Sequence, residues 1–66
     1  MLKGTSISKM QYHDGREYAM RTISLIGVDG ASGLINVIRA NYNVNFANGY
    51  QDTVREMKGK GNENDA

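Results

Sequence analysis

From Ile38 to Phe46 the chain alternates: Ile38, Ala40, Tyr42, Val44 and Phe46 stand against Arg39, Asn41, Asn43 and Asn45. Alternation at period two reads as a half-buried β-strand. On either side of this stretch, and again earlier in the chain, glycine closes a short polar segment. His13-Asp14-Gly15 lies between Tyr12 and Arg16, and Ala47-Asn48-Gly49 lies between Phe46 and Tyr50. A three-residue loop ending in glycine suits a type I turn followed by a left-handed residue.

Register supports three-residue loops over two-residue ones. They pair Met10 with Tyr18 and Phe46 with Tyr50, which keeps one apolar face in each hairpin. A two-residue turn would set Met10 opposite Ala19 and Phe46 opposite Gln51, and would split the large apolar groups between faces. The likeness of the two loops is taken as turn chemistry, and no internal repeat spans the chain.

The pattern therefore predicts an all-β protein. Four strands, roughly 4–12, 16–28, 34–46 and 50–57, form a small antiparallel meander, curled as a bent sheet or small barrel. In the second strand Tyr18 and Met20 share one face while Ile23 and Leu25 share the other. A bulge near Arg21-Thr22, or a bend at Gly27, would reconcile them. A single sheet of this kind leaves an apolar face open, so completion by oligomerisation is expected.

An α+β arrangement, ββαβ, is the alternative. Leu34, Ile35, Ile38 and Tyr42 also fit a helical stripe, which would place a short helix near 31–41. The β-branched residues and the asparagines favour the strand. Tyr50, Val54 and Met57 likewise fit either a strand or a helix over 50–57.

Composition narrows the function. At 66 residues the chain is one domain, and a core of that size buries only about 60% of the unfolded surface. Residues 1–57 form the β-rich domain in this reading, and the polar residues 58–66 a disordered tail. There is no cysteine and one histidine, so neither a disulfide framework nor a thiolate metal site exists, and no metal or cofactor is expected. A net charge of +1 gives little basis for nucleic-acid or membrane binding. No apolar run reaches the roughly 20 residues of a membrane helix, and the protein is expected in the cytoplasm.

Candidate chemistry is sparse. His13 beside Asp14 at a loop tip has neither a pocket nor a positioned partner, so an enzyme is not expected. Gly27, Gly30 and Gly33 match neither dinucleotide nor nucleotide phosphate loops. Tyr12, Tyr18, Tyr42, Phe46 and Tyr50 fall on one face in the chosen register and suit a core or a subunit interface. Arg39, Asn41, Asn43 and Asn45 project from the other face at intervals of about 6.5–7 Å.

Three asparagines in a strand exceed what solubility requires. The readings are a solvated face, contacts across a subunit boundary, or base readout by a β-ribbon. Arg16 and Arg21 join them as candidate binding residues. The chain thus reads as a non-enzymatic small homo-oligomer. It would bind a protein or other macromolecular partner, or a small anionic ligand, at a subunit boundary. Sequence-specific nucleic-acid binding through the 39–45 ribbon is the alternative.

Overall fold

The computed structural model describes the backbone of residues 2–65 and the side chains of residues 7–59. It holds three helices: α1 (Leu2–Gly33), α2 (Ile35–Asn41) and α3 (Val44–Asp65). Among the described residues there is no strand. The all-β meander is therefore overturned, and so is the ββαβ alternative, which kept strands around one helix. Most of the tail expected over 58–66 lies beyond the described side chains.

The helices replace the expected hairpins because of the two glycines. Gly15 and Gly49 are not turn residues but the contact points of two crossing helices. A Cβ placed on Gly15 would fall on the Phe46 carbonyl oxygen and 3.0 Å from the Tyr50 nitrogen. One placed on Gly49 would fall on the Tyr12 carbonyl oxygen and 3.2 Å from the Arg16 nitrogen. Glycine in a helix interior costs roughly 0.5–1 kcal/mol relative to alanine. Here the missing methyls let two backbones approach, and dispersion between them offsets that cost.

The contacts fix direction as well as distance. Gln11 meets Asn45, and Arg16 meets Glu56, with the two glycines between them. Positions advance together, so α1 and α3 run in the same sense and cross at Gly15 and Gly49. The residues flanking the crossing correspond: Gln11, Tyr12, Gly15 and Ala19 in α1 take the places of Asn45, Phe46, Gly49 and Thr53 in α3. The shared loop chemistry is thus part of a longer likeness between residues 11–21 and 45–55.

Two parallel helices need a return path, which residues 27–43 supply. Gly27 breaks α1 with φ 85° and ψ 166°, a conformation open essentially to glycine alone. α2 follows, and its seven residues would not hold as a helix in isolation. It is held by packing: Ile38 is buried, with Leu34 and Ile35 half-buried beside it. The helical stripe at 34, 35 and 38 outweighs the β-branched content that favoured a strand.

The core gathers Ala19, Ala31, Ile38, Ala47, Tyr50 and Val54, one or more from each helix. Small residues dominate because the helices sit close. Tyr50, fully buried, is the large exception, and its hydroxyl donates to the Ala31 carbonyl at 2.6 Å. That bond ties α3 to the stretch beyond the Gly27 kink. Thr53 is also buried and returns its hydroxyl to the Gly49 carbonyl at 2.9 Å.

Gly15→Ala and Gly49→Ala should each lower stability by about 1–3 kcal/mol, because overpacking exceeds the gain in helix propensity. Gly33→Ala, where a methyl meets nothing within 4 Å, should not destabilise. Thermal unfolding followed by circular dichroism checks the contrast. Equal responses at all three sites would remove the crossing from this role.

Candidate functional site

The expected polar row does not exist as a row, because no strand carries it. Arg39 lies on α2 and donates to Gln51 Oε1 on α3 at 2.6 Å. Asn41, in the last turn of α2, donates to its own helix at the Val37 carbonyl, 2.8 Å away. Asn43 sits just before α3, where its Oδ1 accepts the Phe46 N–H at 2.9 Å. That is a helix N-cap, and it explains an asparagine poorly suited to a strand. Asn45 donates to Gln11 Oε1 at 3.1 Å, beside the crossing. Among the described residues no β-ribbon carries these side chains, so the strand geometry expected of them is overturned.

Arg16 and Arg21, the remaining basic candidates, part company. Arg16 holds both Glu56 carboxylate oxygens, at 3.2 and 3.4 Å, and this pairing holds its charge more firmly still. Arg21 makes no ion pair among the described residues. It lines an open cavity of about 320 Å³ with Asp14, Glu17, Tyr18 and Phe46. His13 is paired with Glu17 at 3.0 Å on the exposed face of α1, not at a loop tip.

Four of the five aromatic candidates come together. Tyr42 stacks on Phe46 with ring centres 4.4 Å apart. Tyr18 meets Phe46 edge-on at 5.6 Å and approaches Tyr42 and Tyr50 at 5.9 and 6.0 Å. This cluster joins α1 to the start of α3 on one flank of the crossing. Tyr12 lies apart from it and donates to Asp52 Oδ2 at 2.5 Å. Of the five, Tyr50 alone is in the buried core; Phe46 packs against it half-buried, and Tyr18 and Tyr42 keep much of their surface exposed.

Phenol ionisation is opposed at Tyr12, Tyr50 and Tyr42. The hydrogen bond to Asp52 holds Tyr12 above the ordinary phenol value of 10.0. Burial, then the neighbouring Tyr18, raises Tyr50. Charge repulsion from Tyr18 raises Tyr42.

Two features of the fold were not expected from the sequence. Gly15 and Gly49 were legible in the likeness of QYHDGREYAMR to NFANGYQDTVR. The exposed apolar face of α1 was hidden by reading its residues at period two. Among the described residues, no three His, Asp or Glu side chains gather as metal ligands. None of the described helices alone is long and apolar enough to cross a membrane. Ile7–Gly33 and Ile35–Asn41 pass on length and composition only as a pair, bent by 84°. No family model matches the sequence, and no curated protein and no solved structure matches it.

Asn43→Ala should cost about 1 kcal/mol of stability through loss of the cap. A melting temperature unchanged from the parent would contradict the capping role. The tyrosines give a pH dependence of definite sign. The folded state keeps phenolic protons that the unfolded chain releases, so their contribution is full below pH 10.0 and lost as pH rises through the folded values. Helical signal should fall in that alkaline range, and Tyr50→Phe should move the fall to higher pH while lowering stability at neutral pH. An unshifted alkaline transition in Tyr50→Phe would refute this.

Proposed function

We propose that the chain is a non-enzymatic interaction protein that works as an assembly, with one exposed face of α1 as its contact surface. The observation that carries this reading is an exposed stripe, in which Tyr18 also meets Tyr42, Phe46 and Tyr50. Ile7, Met10, Asp14, Tyr18, Arg21 and Leu25 follow one another at steps of three or four residues, so they share one side of α1. All six are exposed, Leu25 to 83%. The stripe lies about a quarter turn from Gly15 and Ala19, the side of α1 consumed by α3.

Size favours the same reading. A chain of 66 residues has little core to spare, and here much of that core is alanine. Leaving four large apolar side chains in water on one helix face is the pattern of a surface that is covered in the working state. Other functions have less support. Arg16 and Arg39 already have partners within the fold, which weakens an anion site built on them. The single histidine is engaged with Glu17 on an exposed helix face, with no nucleophile in its hydrogen bonds.

Leu25→Lys separates this reading from a structural role. Being exposed, Leu25 should tolerate the change within about 0.5 kcal/mol of stability. Association of the parent at micromolar concentration, read by light scattering after size exclusion, should be lost in the variant. A parent that stays monomeric, or a Leu25→Lys variant that associates as the parent does, would overturn the proposal.

A further inference from the structure

The stripe on α1 is self-complementary, and we infer that its occupant is the same stripe on a second copy of the chain, docked antiparallel. This rests on the reading of α1 as a contact surface and names the partner and the register. The order of charges supports this pairing. Asp14 and Arg21 lie near the middle of the stripe, two helical turns apart, and neither makes an ion pair among the described residues. A two-fold axis crossing α1 between them sets Asp14 of each copy opposite Arg21 of the other.

That register also orders the apolar positions. With residues 14 and 21 opposed, Met10 falls opposite Leu25 of the second copy. Both are well exposed, at 63% and 83%. Tyr18 lies close to the axis in both copies, where its ring and the hydroxyl beside it cover apolar and polar neighbours together. A closed two-fold contact of this kind uses one patch twice and leaves no open end for further growth. A parallel docking would instead place Asp14 against Asp14 and Arg21 against Arg21, which like charges oppose.

Charge reversal tests the register directly. Asp14→Arg sets two arginines opposite each other twice per dimer, and Arg21→Asp sets two aspartates so. Each single variant should raise the dimer dissociation constant by ~10-fold or more, as like-charge juxtaposition demands. The double variant Asp14→Arg/Arg21→Asp restores opposed charges and should recover most of the parent affinity. Sedimentation equilibrium at low and moderate salt reads all four proteins, and circular dichroism confirms that each remains folded.

Recovery in the double variant supports the antiparallel pair. Weakening in both single variants without recovery would overturn it. So would a dimer indifferent to either charge. If that dimer still fails with Leu25→Lys, the contact surface survives and only the pairing falls. A parent that is monomeric throughout would overturn both.

Discussion

The approach of two helix backbones at Gly15 and Gly49 is the constraint on which the other features depend. Helices with ordinary side chains pack 8–10 Å apart, and their core is filled by large groups between them. Here each glycine seats itself on the main chain of the other helix, so the space for side chains between α1 and α3 is narrow. The core consequently uses Ala19, Ala47 and Thr53 near the crossing. The larger groups Tyr50 and Val54 are buried in one cluster with Ala31 and Ile38.

Close approach also brings polar side chains on the two helices within reach of one another. Gln11 with Asn45, Tyr12 with Asp52 and Arg16 with Glu56 all bridge α1 and α3. These bonds are partly or fully exposed, so each adds modestly to stability. They contribute more to register, because a slip of one residue would break all three and lift both glycines off their seats. Away from these contacts, one side of α1 presents Ile7, Met10, Tyr18 and Leu25 with Asp14 and Arg21 to the surface.

How much of this was legible in the sequence differs from residue to residue. The stripe Leu34, Ile35, Ile38 was visible as a helix, and so was the spacing of Tyr50, Val54 and Met57. Both lost to a period-two pattern over 38–46 in which Ala40, Tyr42 and Val44 turn out to be exposed. An apolar residue every second position is thus no proof of a strand when small or aromatic residues complete the count. The glycines misled more seriously. A glycine after Asp or Asn is a strong turn signal in isolation, and nothing local distinguishes it from a glycine that admits a neighbouring backbone. Only the partner segment makes the distinction, through the repeated pattern around Gly49. The gathering of the aromatics was readable in part, since helical steps from Tyr42 to Phe46 to Tyr50 are four residues each. Asn43 as a cap and Asn45 as a partner of Gln11 depended on where helices begin and cross, which the alternation concealed.

The shared direction of α1 and α3 bears on how the chain reaches this state. An antiparallel pair can zip from a tight connection, gaining contacts close in sequence first. Parallel helices have no such start. The bond between Gln11 and Asn45 already spans 34 positions, and the glycine contacts between them span a similar interval. The chain must therefore close a long loop before the crossing yields anything, an entropic cost that grows slowly with length but comes early. Folding through such distant contacts is slower than in a local helical pair. The Tyr50 hydroxyl that ties Ala31 to α3 likewise finds its partner only once α3 has arrived.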